Sequence, residues 1–263
     1  MGKLNKLIRA TGLLLRKPYL LNKVIDDNEN WMHKVFSDHG IERLPEVSLR
    51  DMMGGREVTV NPFAFMEGGS LPTDLALLRM LAARFPECEY FEIGTWRGES
   101  VANVAAVASS CTTMNLSKEQ MQEAGLAEEY IRQHAMYSKH LANVKYLEGN
   151  SLVFDFASMD NKYDLVFIDG DHHYESILSD TTNVFEHLLH DGSIVVWHDH
   201  AWQPGNIRYE TLAAILDGVP RMFHSKIYEV RNTLCAIYFP EEIASAIASS
   251  VARENEVFTV SLR

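Results

Sequence analysis

The chain has 263 residues, of which 46% are hydrophobic and 23% charged, and a formal net charge of −12. That balance suits one large folded domain with an appendage and excludes a disordered, collagenous or coiled-coil chain. The acidity speaks against general nucleic-acid binding, no uncharged apolar run approaches the roughly 20 residues of a membrane span, and the odd, scattered cysteines Cys88, Cys111 and Cys235 fit a reducing cytoplasm.

Residues 1–25 contain Lys3, Lys6, Arg9, Arg16, Lys17 and Lys23 and no acid, which leaves −18 on the remainder of a chain at −12 overall. Leu4, Leu7, Ile8, Leu14 and Leu15 recur near helical spacing, so a basic amphipathic helix is predicted. Such a helix packs on its own domain or on a second copy in a homo-oligomer, or it makes weak peripheral contact with an anionic membrane. Residues 26–70, with Pro45, Gly54-Gly55, Pro62 and Gly68-Gly69, read as loops and short elements forming a lid or dimer contact.

From residue 71 the pattern becomes regular. A helix is predicted through Leu75–Phe85, a strand at Glu89–Ile93, a helix through Val101–Ala108 and a strand at Cys111–Leu116. Residues 118–140 read as helical with a break near Gly125, Val144–Leu147 as a strand and Tyr163–Ile168 as another, apolar on both faces. A helix follows through Ile177–Leu189, then a strand at Ser193–Trp197, a helix over 206–217, and a hairpin from Lys226–Val230 and Thr233–Phe239. Residues 241–253 read as a helix and Val257–Leu262 as a last strand. The expected organisation is an N-terminal segment 1–70, a ligand-binding domain 71–240 and an extension 241–263. Repeated strand–helix alternation predicts an α/β fold: Rossmann-like, doubly wound, with a mostly parallel sheet and a C-terminal antiparallel hairpin.

In such sheets ligands sit beyond the carboxyl ends of the strands, and two groups of residues stand there. The first is Glu92-Ile93-Gly94-Thr95-Trp96-Arg97-Gly98. It lacks the G-x-G-x-x-G spacing that lets a backbone touch a pyrophosphate, and Glu92 would repel a phosphate. A ligand with a cationic part and no phosphate suits it, and S-adenosylmethionine is one; the glycines equally suit a tight strand–helix turn. The second group is Asp169, Asp171, His172 and His173 after one strand, with His198, Asp199 and His200 after another. Acids and imidazoles gathered this densely bind metal, move protons or face solvent. His173, His187 and His190 read as surface or capping residues.

Glu92-Ile93-Gly94-Thr95-x-x-Gly98-x-Ser100 resembles the first motif of class I S-adenosylmethionine-dependent methyltransferases. Phe167-Ile168-Asp169-Gly170-Asp171-His172-His173-Tyr174-Glu175, Asp180 and Trp197-His198-Asp199 resemble one branch, the family-24 type related to macrocin-type sugar O-methyltransferases. The resemblance spans roughly residues 72–239. It implies that Gly94, Thr95 and Gly98 wrap the methionine part of the cofactor with Glu92 near its ammonium. Asn115 would stand where relatives place an acid on the ribose, and Asn150 and Ser151 at the adenine edge. It implies a divalent metal on Asp169, His198 and Asp199, and a base in His172 or Asp171. Because imidazole suits Zn, Fe, Ni or Cu better than Mg, His198 implies either a different metal or a base and no metal.

The function expected is O-methylation of a hydroxyl on a sugar, glycan precursor or other small molecule. Two alternatives are a metal-dependent hydrolase built on the Asp/His cluster and a catalytically silent S-adenosylmethionine-binding module.

Overall fold

The computed structural model describes residues 2–17, 27–66 and 68–245. Its helices are α1 (Lys3–Arg16), α2 (Asn28–His39), α3 (Leu49–Met53), α4 (Pro72–Ala82), α5 (Glu99–Ala105), α6 (Lys118–Glu123), α7 (Glu128–Gln133), α8 (Tyr174–Asn183) and α9 (Tyr209–Gly218). Its strands are β1 (Glu46–Ser48), β2 (Glu89–Ile93), β3 (Ser110–Asn115), β4 (Val144–Glu148), β5 (Tyr163–Ile168), β6 (Leu189–Trp197), β7 (Ala201–Gln203), β8 (Asn206–Ile207), β9 (Ile227–Arg231) and β10 (Ala236–Tyr238).

Eight strands form one sheet in the order β1-β9-β10-β6-β5-β2-β3-β4. β4, β3, β2, β5 and β6 run parallel, β10 pairs antiparallel with β6 and β9, and β1 runs parallel to β9. The Rossmann-like expectation, hairpin included, therefore holds. The chain steps from β2 outward to β4, then returns to place β5 on the other side of β2. The strand order reverses there, and a ligand crevice opens at such a point.

The alternation of side chains along β5 explains why it reads as apolar throughout. Val166 and Ile168 join one core with Phe91, Ile177, Leu212 and Ile215, while Leu165 and Phe167 join the other with Leu77, Leu81, Val101 and Val104. Helices α8 and α9 cover the first face, α4 and α5 the second.

Several expectations need correction. The stretch 26–70, read as loops and short elements, contains the short β1 and α3 but also the 12-residue α2, and β1 joins the main sheet. α2 carries few apolar residues, and tertiary contacts hold it. Trp31 stacks on Tyr174 with ring centroids 4.9 Å apart, and Asn28 accepts from the Tyr209 N–H at 2.8 Å at the start of α9. The 118–140 helix is two short helices, with residues 134–140 in turns. The helix predicted through Leu189 ends at Asn183 and continues as a π turn over Val184–Leu188. The helix predicted from 206 begins at Tyr209, because Asn206 and Ile207 pair with β7. The helix predicted over 241–253 is not formed at 241–245, and its remainder and the 257–262 strand lie outside the described residues.

Candidate functional site

The glycine loop leaves β2 at the point of strand-order reversal. Gly94 has φ +97°, and a Cβ built on it would fall 2.0 Å from the Asp169 carbonyl oxygen. No side chain fits there, because the loop crosses directly over the end of β5; the Asp169 N–H donates to the Ile93 carbonyl at 2.8 Å. Gly98 has φ +80°, and its Cβ would meet the Ser138 hydroxyl at 2.1 Å. Both glycines are therefore required by the protein's own packing.

The turn over residues 134–138 supports the loop, with Ala135 N–H donating to the Trp96 carbonyl at 2.6 Å and Tyr137 N–H to the Arg97 carbonyl at 2.9 Å. Trp96 stacks on Tyr130 with centroids 5.0 Å apart, and the Arg97 guanidinium lies 4.1 Å from the centre of the Trp96 ring. Asn61 and Ala64 bind α5 side chains from outside, through Asn103 at 2.7 Å and Glu99 at 2.7 Å.

Glu92 is fully buried beneath the loop. It accepts from the Tyr90 hydroxyl at 2.7 Å and the Thr113 hydroxyl at 3.2 Å, and Thr95 and Thr113 hydroxyls touch each other. Burial pushes the Glu92 carboxyl up to about 7, against the pull of these hydroxyls. Asn115, at the end of β3, donates its amide to the Thr95 carbonyl at 2.8 Å. His134 Nδ1 donates to the same carbonyl at 2.9 Å. An aspartate at 115 has no hydrogen to give, so an amide there holds the loop as an acid cannot.

After β4, Asn150 accepts from the Leu152 N–H at 3.0 Å, which shapes the turn. The Ser151 hydroxyl reaches the buried Asp180 on α8, whose carboxyl burial pushes up to about 7. A Cβ on Gly170 would lie 3.5 Å from Asp180, so this carboxyl sits under the turn that follows β5.

The rim over β5 and β6 is organised around His198. Its Nε2 lies 3.2 Å from Asp74 and its Nδ1 3.1 Å from Asp169 and 3.5 Å from Asp199. Burial opposes a charge there, but the three carboxylates outweigh it and hold His198 protonated, well above the ordinary imidazole range. Asp74 itself is fully buried. It accepts from the Leu71 N–H at 2.6 Å, which starts α4, and from the Leu234 N–H at 2.8 Å, in the β9–β10 turn. One carboxylate thus ties a helix start, a hairpin and the rim together. Asp74 reads from sequence only as a helix-start residue, since its partners lie 124 and 160 positions away.

Asp199 adopts φ +52°, uncommon for an aspartate. Its carboxylate lies 3.1 Å from His172 Nδ1 and 3.8 Å from Arg208. Burial would raise it, but His198, His172 and Arg208 hold it down at about 2. His172 is half exposed. Asp171 turns away toward α8, accepting from the His173 N–H at 3.3 Å and the Ser176 hydroxyl at 3.1 Å.

The potential metal donors regroup relative to expectation. Asp169, His172 and Asp199 each offer an atom within 4.8 Å of the others, whereas His198 falls in a separate buried group with Asp74 and Cys235. A protonated imidazole between two carboxylates has no lone pair for a cation.

Residues 91–200 match the family model Methyltransf_24, a methyltransferase domain. The uncharacterized protein R132 of Acanthamoeba polyphaga mimivirus is 25% identical over 156 residues, covering 53% of this chain and 66% of that protein. Among solved structures, Podospora anserina methyltransferase PaMTH1 with bound SAH is 15% identical over 73% of this chain and 88% of its own, at TM-score 0.44. CalS11, a TDP-rhamnose 3′-O-methyltransferase of calicheamicin biosynthesis, is 16% identical over 64% and 78%, at TM-score 0.44. YcgJ of Bacillus subtilis is 20% identical over 47% of this chain, which spans about half (50%) of its length, at TM-score 0.34. The family match covers 110 of the 263 residues and takes in the glycine loop after β2 and the Asp–His turns after β5 and β6, on a Rossmann-like sheet.

Proposed function

We propose that this chain transfers a methyl group from S-adenosylmethionine to a hydroxyl of a sugar, glycan precursor or other small molecule, with His172 as the base. The observation that carries this reading is the contact between the two site regions. The glycine loop crosses the Asp169 backbone at Gly94, so a cofactor held by the loop faces the Asp169–His172–Asp199 rim. The cofactor supplies an electrophilic methyl on a sulfonium. The protein's part is to align an acceptor oxygen behind that methyl and to take its proton.

The Asp199–His172 pair suits that task. Asp199, 3.1 Å from Nδ1, fixes the tautomer with its hydrogen on Nδ1 and leaves Nε2 to accept a proton. The charge formed on His172 is then stabilised by the same carboxylate. Asp169 stands beside the pair, oriented by His198, and can receive the acceptor's hydroxyl as a hydrogen-bond acceptor before transfer.

A second reading rests on the 4.8 Å spacing of the Asp169, His172 and Asp199 donor atoms, which a divalent cation can bridge. Such an ion would lower the pKa of a bound hydroxyl. The chain's own cations His198 and Arg208 already face these two carboxylates, which favours the metal-free reading. Methyl transfer to a panel of sugar and small-molecule hydroxyls, before and after dialysis against a chelator, separates the two. Turnover that survives chelation and falls at least tenfold in His172→Gln supports the base; turnover abolished by chelation and restored by one divalent ion supports the metal. No methyl transfer to any hydroxyl, with the cofactor bound, overturns the O-methylation reading.

A further inference from the structure

Helix α1 stands apart from every other long helix. Among the described residues, α2, α4, α8 and α9 each bury at least one side chain, whereas α1 buries none across its 14 residues. Leu4 is 69% exposed, Leu7 63%, Ile8 62%, Leu13 49% and Leu15 79%. Exposing five large aliphatic side chains on one short helix is unfavourable in water, by roughly 25 cal/mol for each Å² that could be buried.

The arrangement of the helix narrows what could cover it. At about 100° per residue, Leu14, Leu7, Leu4, Leu15 and Ile8 fall within an arc of about 120°. Lys3, Lys6, Arg9, Arg16 and the capping Lys17 lie outside that arc, as does Leu13 alone among the large aliphatic residues, and the helix has no acid. At 14 residues it is too short to span a bilayer, and no described helix is long and apolar enough to do so. Two copies packed face to face would set one cationic helix against another with no acid to offset them. Among the other described residues, the four most exposed large apolar side chains, Phe36, Phe65, Val153 and Met222, come from separate parts of the chain. A nucleic acid would meet the cations but leave the apolar arc in water.

We infer that α1 is an interfacial helix that lies on an anionic lipid surface, its leucine face in the acyl boundary and its lysines and arginines on the headgroups. Both halves of the pattern are then satisfied by one occupant: apolar burial supplies part of the attraction and charge complementarity the rest. This holds the catalytic domain at a membrane whatever its acceptor is, and does not depend on the methyl-transfer reading.

The test is flotation of the full chain with vesicles of pure phosphatidylcholine and with vesicles of equal parts phosphatidylcholine and phosphatidylserine. The expected result is binding to the anionic vesicles at least tenfold tighter than to neutral ones, weakened severalfold at about 0.5 M salt. Leu7→Glu with Ile8→Glu should abolish flotation. Lys3→Glu with Lys6→Glu should remove the preference for anionic lipid. Both pairs should leave the circular dichroism of the domain and its cofactor affinity unchanged, since α1 buries none of its side chains. Equal binding to both vesicle types, no binding to either, or binding to nucleic acid alone overturns the inference. So does a dimer by light scattering that Leu7→Glu dissolves, which would assign the face to a second copy.

Discussion

The glycine loop at 94–98 is fixed by volume and by neutral hydrogen bonds, whereas the rim at 169–172 and 198–200 is fixed by charge. In the loop, Gly94 and Gly98 leave no room for a Cβ, and the Thr95 carbonyl is gripped by Asn115 and His134. On the rim, a buried imidazolium at His198 joins Asp74 to Asp169, and Asp199 faces three cationic or basic groups. Shape-determined sites respond to added atoms, and charge-determined sites to protons and isosteric neutralisation. The proposed methyl transfer would use both, a rigid cradle for the cofactor and a place for the acceptor's proton to go.

The rim should break most sharply. Asp169→Asn removes one charge and almost no volume, so turnover should fall roughly 10²–10⁴-fold, while cofactor affinity stays within a few-fold. Single-turnover methyl transfer and melting temperature on the same preparation check this; an unchanged rate would take Asp169 out of the chemistry.

The loop should break by volume instead. Gly94→Ala adds one methyl where a Cβ meets backbone at 2.0 Å and φ is +97°, and should cost roughly 2–5 kcal/mol of stability. Thermal denaturation reads this directly. The loss should be present without cofactor, because the clash is with Asp169 and not with the ligand. A variant as stable as the parent would mean that the loop and β5 do not pack as described.

Asn115→Asp sharpens the contrast within the loop. It deletes the donor to Thr95 and leaves two acceptors facing one carbonyl, so cofactor affinity should drop about tenfold, the equivalent of about 1.4 kcal/mol. Calorimetry decides it. Tighter binding would mean that a ribose diol, rather than the Thr95 carbonyl, is the chief partner of this position.

The smallest effect is a pH dependence at Glu92. Its carboxyl is raised from 4.5 to about 7, so between these values the folded chain keeps a proton that the unfolded chain has released. Stability from this group is present below 4.5 and is lost as pH rises through about 7. Glu92→Gln cannot ionise, so its melting temperature relative to wild type should climb over that window and level off above it. The difference between the two chains isolates Glu92 from Asp180, which is raised to about 7 as well. Parallel melting curves from pH 4 to pH 8, as absolute values, would show that burial does not perturb Glu92.

Much of this protein was legible in its sequence because the decisive patterns are local. The run Leu165-Val166-Phe167-Ile168 announces a strand buried on both faces, since nothing polar alternates with it. The glycines after β2 and the Asp–His turns after β5 and β6 mark the rim of the sheet, because a parallel sheet collects its ligands at its carboxyl edge. The hairpin near the C-terminus follows from two apolar runs about a short polar turn. Helix α2 and strand β1 were not legible: α2 is held by Asn28 and Trp31 contacting residues far along the chain, and β1 by pairing with β9.

At the site the same division applies. Sequence alone determined which residue types gather at the strand ends. Only the tertiary structure decided their partners. It gave His198 to Asp74 and Asp169, and His172 to Asp199. It turned Asp171 toward α8 and spent the Asn115 amide on the loop. It also left the leucines of α1 uncovered. The physical reason is range: periodicity and turn chemistry act over a few residues, whereas a buried proton is assigned by whichever carboxylates the fold brings within about 3 Å, and Asp74 and His198 stand 124 positions apart.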